Sequence, residues 1–236
     1  GHTELYRGAE YAVDFLPKRI QDIDADVAKV AHILRGKILH MAAARPSANK
    51  PVSATSPASS PKTQSKRHPV PYRLLMIGAS TGGPKVLQEL ISRMPGHFPL
   101  PIVIVQHMPG SFTKTFADRM NSVSALQVKE AQHGDRLKPG SVYVTPGGKQ
   151  IYVDGKREEM SLRIEDPLPG EIYKPSVDIA FRSAAQSLGD HVLALVMTGM
   201  GADGREGAEA LVKAGSTVWG QSEASCVIYG MPKAVA

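Results

Sequence analysis

One cysteine, Cys226, stands in 236 residues. A single thiol cannot build a disulfide framework or a zinc–thiolate cluster, and it suits a reducing compartment. No run approaches the ~18 apolar residues that a spanning helix needs, so membrane insertion is not expected. The start, Gly1-His2-Thr3-Glu4, carries no signal-peptide pattern, and the lone thiol leads us to expect a cytoplasmic location. No H-x-x-x-H spacing or carboxylate cluster offers a metal site, so neither metal nor cofactor is expected.

What is abundant is positive charge, 28 Lys+Arg against 22 Asp+Glu, and a basic balance raises the question of nucleic acid. The charge is local. Residues 1–41 hold six basic and six acidic residues, residues 73–236 hold 17 and 16, and residues 42–72 hold five basic residues and no acid. That middle segment has six Pro and six Ser, and its only large apolar residues are Val52, Val70 and Tyr72. It cannot bury enough apolar surface to offset its ordering entropy, so it reads as a linker. A coil of that length spans roughly 30 Å. Its sparse charges lack interleaved aromatics, so nucleic acid is not expected as a partner. Residues 1–41 read as one short apolar run ending at Pro17, then one amphipathic helix with Ile23, Val27, Val30, Leu34 and Ile38 on its face. One helix cannot make a core by itself.

From Arg73 onward strands alternate with helices. Apolar strands are expected at Tyr72–Ile77, Pro101–Val105 and His191–Met197, with shorter ones at 141–145, 150–153 and 217–220. Helices are expected at 85–94, 111–120, 176–188 and 205–214. Fully apolar strands suit a sheet buried on both faces. The alternation predicts an α/β fold: a doubly wound, mostly parallel, Rossmann-like sheet flanked by helices. Ligands in such folds bind beyond the carboxyl ends of the strands.

Three strand ends carry candidate chemistry. Gly78-Ala79-Ser80-Thr81-Gly82 matches G-x-S-x-G between a strand and a helix, the setting of a nucleophile elbow. Ser80 could equally cap the next helix, as could Thr81, or the Gly-rich turn could cradle a phosphate. The loop lacks the Walker and G-x-G-x-x-G patterns, which weakens the phosphate reading. His107 sits one residue past the second apolar strand, a placement that no other His shares. Asp203 follows the third, within Thr198-Gly199-Met200-Gly201-Ala202-Asp203-Gly204, where it could also be the N-cap of the helix at 205–214. A serine hydroxyl needs a base, and the base needs an acceptor on its other nitrogen, so the three together suggest a Ser–His–Asp set. The order Ser…His…Asp differs from the Ser…Asp…His order of α/β-hydrolases. Ser176 or Asp178 reads as the cap of the following helix, Cys226 as a small buried hydrophobe, and Met94, Met108, Met120 and Met197 as packing residues.

The segments GASTGGP, VQHMP with GSFTKTFADRMN, YKPSVD, TGMGADG and SEASCVIYGMPKA, in this order, resemble the chemotaxis-type protein-glutamate methylesterase (CheB) family across residues 73–236. The resemblance implies Ser80 as nucleophile, His107 as base, Asp203 as its orienting carboxylate, oxyanion contacts from the backbone at Thr81 and Met200, and Tyr173–Asp178 lining the substrate cleft. It implies hydrolysis of glutamate γ-methyl esters, and deamidation of glutamines, on chemoreceptor cytoplasmic regions. Residues 1–41 resemble the end of a response-regulator receiver domain, with Lys18 in the place of its phosphate-contacting lysine. That family usually shows Lys-Pro there, whereas this chain has Lys18-Arg19. The phosphoacceptor Asp would lie upstream, the chain stops at Ala236 earlier than the family pattern suggests, and both ends are expected to be truncated. A full-length protein is expected to take its phosphoryl group from a histidine kinase.

Overall fold

A computed structural model describes residues 72–156 and 159–236. The expectations for residues 1–41 and for the linker up to Pro71 lie outside the described residues.

Six strands form one wholly parallel sheet: β1 (Leu74–Ala79), β2 (Ile102–Gln106), β3 (Gln127–Glu130), β4 (Ser141–Val144), β7 (Val192–Val196) and β8 (Thr217–Gly220). Their spatial order is β3-β4-β2-β1-β7-β8. β1, β2 and β7 are buried at every position. Their side chains divide by alternation. Leu75, Ile77 and Ala79 face one core, and Leu74 and Met76 face the other.

The first core is closed by α1 (Gly83–Ser92) and α2 (Gly110–Val123). Val86, Leu87, Leu90 and Ile91, and then Thr113, Phe116, Ala117 and Met120, recur at the three- and four-residue spacing that makes one apolar face. The second core is closed by α3 (Val177–Leu188), α4 (Arg205–Lys213), the short α5 (Met231–Val235), and an antiparallel pair, β5 (Gln150–Asp154) with β6 (Ser161–Glu165). Helices thus cover both faces, as the doubly wound expectation requires.

Three elements had no forecast. β3 buries only Val128 among four residues, too short an alternation to register. β6 alternates Leu162 and Ile164 with polar residues, but its partner lies off the main sheet. α5 is five residues long. The Pro146-Gly147-Gly148 turn is present, yet it does not join two neighbours in one sheet. It carries the chain out of β4 in the parallel sheet and into the β5–β6 pair. Of the methionines read as packing residues, Met94, Met120 and Met197 are buried and Met108 is partly buried against the same core.

The strand order fixes where a site belongs. From β1 the chain builds outward through β2 on one side, then returns to place β7 and β8 on the other. The reversal falls between β1 and β7, and the crevice at the carboxyl ends of such strands is where ligands bind in doubly wound sheets. Among the described residues, no helix is long and apolar enough to cross a membrane.

Candidate active site

Ser80 leaves the sheet at the end of the central strand. The register pairs Ala79 with Gln106 and Gly78 with Val196, so one step further sets Ser80 between His107 and the loop that opens at Met197. Backbone bonds hold this arrangement. His107 N–H donates to Ala79 O (3.0 Å), and Ser80 N–H donates to Thr198 O (3.0 Å). The two glycines of the G-x-S-x-G pattern have different reasons. Gly82 is the N-cap of α1 with φ +81°, a left-handed conformation that suits glycine. Gly78 lies within β1, where a Cβ would come within 2.5 Å of Val177 Cγ1, so its absence lets α3 dock closely.

Neither bland alternative for Ser80 and Thr81 is realised as a cap, since α1 has no side-chain N-cap bond. Among the described residues Ser80 Oγ has no hydrogen-bond partner, and in this conformation it makes no bond to His107. Hydrogen bonds of this kind often tighten only once substrate is bound.

The His107–Asp203 pair is formed. His107 Nε2 donates to Asp203 Oδ2 at 2.7 Å. Because the carboxylate can only accept, Nε2 carries the proton and Nδ1 is left bare in the neutral ring. Asp203 is 3% exposed and is not the cap of α4, whose N-cap is Gly204 with no side-chain bond. It sits instead at the start of α3. Oδ2 also accepts from Val177 N–H (2.7 Å), and Oδ1 accepts from Asp178 N–H (3.0 Å) and the Ser176 hydroxyl (2.9 Å). These orphan N–H groups of a helix start carry partial positive charge, which suits an anion. Burial pushes the Asp203 carboxyl up. The hydrogen bonds from His107 and from the Asp178 and Val177 amides outweigh that, so it lies below its ordinary value.

The capping is reciprocal. Asp178 Oδ1 accepts Gly207 N–H of α4 (2.7 Å), while the loop leading into α4 supplies Asp203 to α3. Burial, opposed by the Gly207 amide and reinforced by the neighbouring Asp203 carboxylate, raises the Asp178 carboxyl above its ordinary value. Ser176 is the N-cap of α3, accepting from Ile179 N–H, as the sequence suggested.

The Tyr173 ring stacks on the His107 ring, centroids 4.7 Å apart and planes 8° from parallel. The strap bearing Tyr173 is held by fully buried Gln150, which donates to Tyr173 O (2.8 Å) and accepts from Ser176 N–H (2.9 Å). The family resemblance lines the cleft with residues 173–178, and nothing in the spacing marks Tyr173 as a partner of the histidine. Among the described residues, the amides of Thr81 and Met200 have no protein acceptor. Both lie in the loops that flank Ser80, and Thr198 links those loops, its hydroxyl bonding to Thr81 O (3.0 Å). Cys226 is partly rather than fully buried, and burial pushes its thiol up to about 11, so it is no thiolate nucleophile at neutral pH.

A family model described as CheB methylesterase matches residues 75–236. The chain belongs to the CheB methylesterase family. The protein-glutamate methylesterase/protein-glutamine glutaminase 1 of Vibrio cholerae is 44% identical over 253 residues, covering 95% of this chain and 67% of that protein. Its counterpart in Saccharophagus degradans is 47% identical over 246 residues, with 95% and 67% covered. This chain thus spans about two thirds of the length of these curated CheB relatives. The solved catalytic domain of the Thermotoga maritima CheB methylesterase superposes with a TM-score of 0.67 at 39% identity, covering 70% of this chain and 88% of that one.

Proposed function

We propose that this chain is a cytoplasmic serine hydrolase that removes methyl groups from glutamate γ-methyl esters on chemotaxis receptors and deamidates specific receptor glutamines, resetting the signal. The observation that carries this reading is the 2.7 Å bond from His107 Nε2 to buried Asp203, made beside the strand end that bears Ser80.

That geometry supports the following chemistry. Ser80 Oγ attacks the side-chain carbonyl carbon, and its proton passes to the bare Nδ1 of His107. Asp203 holds the ring in this tautomer and stabilises the imidazolium that forms. The amides of Thr81 and Met200 receive the developing oxyanion, each worth roughly 3 kcal/mol in comparable sites. His107 returns the proton to the departing methanol, or to ammonia from a glutamine, leaving a glutamyl ester on Ser80. A water deprotonated by His107 then releases the free glutamate side chain and regenerates the serine. The proposed partners are chemoreceptor cytoplasmic regions and, for a full-length protein, a phosphodonor histidine kinase.

The test is methanol release from methylated receptor. Ser80→Ala should abolish it in a protein that still folds, and retention of the wild-type rate by that variant would refute the reading.

A further inference from the structure

Gln106 precedes His107 and closes β2, and it is 2% exposed. Each hydrogen bond that a buried glutamine amide makes offsets part of the cost of burying it. Here the two N–H bonds of Nε2 are divided. One goes to Ser80 O and the other to His107 O, both at 3.0 Å. Two carbonyls converge on the group, so only the NH2 end fits there. Oε1 has no hydrogen-bond partner and packs against the first residue of α1. A Cβ on Gly83 would lie 2.2 Å from Oε1 and 2.9 Å from Ala79 Cβ. The second glycine of Gly82-Gly83 is therefore what gives the Gln106 amide its room.

We infer that Gln106 is a positioning residue that fixes the nucleophile and the base relative to each other, an inference that rests on the proposed roles of Ser80 and His107. The sheet ladder ends at the bond from His107 N–H to Ala79 O. Beyond it the two strands diverge into loops, and the Gln106 amide adds one further tie across the gap. Ser80 O has a second donor in Gly83 N–H (2.8 Å), whereas among the described residues His107 O has only Gln106. Losing the amide thus frees the backbone of the base more than that of the serine. The bare Nδ1 would then meet Ser80 Oγ in fewer conformations. Misplacing a catalytic group by about 1 Å can cost on the order of 10²-fold in rate.

The experiment compares wild type with Gln106→Met, which keeps the volume and removes both donors, and with Gly83→Ala, which keeps Gln106 and pushes its amide aside. The second-order rate of Ser80 labelling by a fluorophosphonate is measured with kcat and KM for methanol release. Each rate is normalised to the folded fraction read by circular dichroism. Both variants should label and turn over about 10- to 100-fold more slowly with KM within about twofold, since the change lies in the geometry of attack. Labelling at the wild-type rate by both variants would overturn the inference. So would a loss that vanishes on normalisation, which would make Gln106 a structural residue only. Failure of wild type itself to label would instead refute the nucleophile role of Ser80.

Discussion

Replacing Asp203 by Asn keeps the size of the side chain while removing its charge and one of its two acceptors. The carboxylate is surrounded by four donors: His107 Nε2 and Val177 N–H on one oxygen, the Ser176 hydroxyl and Asp178 N–H on the other. With the amide oxygen toward His107, the new NH2 meets the Ser176 hydroxyl, which can accept, and the Asp178 N–H, which cannot. With the amide turned over, the NH2 meets Val177 N–H, and His107 must move its proton from Nε2 to Nδ1, the atom that should deprotonate Ser80. Either way one backbone donor loses its acceptor, costing about 1–3 kcal/mol of stability. The rate suffers more. A carboxylate–imidazolium attraction at ~4 Å is worth about 4 kcal/mol at an effective dielectric of ~20, or about 10³ in rate. The wrong tautomer carries comparable triads to about 10⁴. We therefore expect kcat for methanol release to fall about 10³- to 10⁴-fold in D203N. Because the folded Asp203 titrates below its ordinary value, the stability it contributes is present above the unfolded pKa and is lost as pH falls through the folded one. D203N should flatten that acid limb, below about pH 4, in denaturant titrations. A folded D203N protein with a rate within tenfold of wild type would refute the reasoning. Asp203 would then be a cap for α3 and nothing more.

Other perturbations follow from the same geometry. Tyr173→Ala removes the ring stacked on His107 and should lower kcat/KM about 2- to 10-fold, the value of one aromatic pair, whereas Tyr173→Phe should not; equal losses would remove the stack from the account. Asp178 titrates above its ordinary value when folded, so the stability it contributes is full below its unfolded pKa and is lost as pH rises through the folded one. Asp178→Asn should accordingly leave the denaturant midpoint at pH 7 equal to or above wild type, with the difference shrinking toward pH 4; the opposite trend would contradict the direction of the shift. Cys226, with its thiol pushed up to about 11, should react with iodoacetamide at pH 7.5 more slowly than free cysteine, and Cys226→Ser should leave kcat unchanged.

The layers and the three strand ends were legible in the order of the residues. Continuous apolar runs such as Ile102–Val105 and Val192–Val196 suit strands buried on both faces, and the helical periodicity between them predicts a parallel sheet covered by helices. The G-x-S-x-G turn, His107 and the glycine-rich loop that bears Asp203 were legible because each lies just beyond the end of such a run. The tertiary structure alone decided which helix Asp203 serves. Sequence proximity favoured α4, two residues on, but the β7–α4 loop turns the carboxylate to the N-terminus of α3, 26 residues upstream, because the unsatisfied N–H groups there converge on one point. It alone decided that Tyr173 lies on the base and that Gln106 spans two strand ends. Those contacts join residues 66 and 26 positions apart in the chain, and no local period encodes the register that brings them together. The short strands β3 and β6, and the displacement of the expected strand β5 from the main sheet, were hidden for the same reason. Their place depends on which neighbour supplies hydrogen bonds, and that is settled only when the sheet assembles.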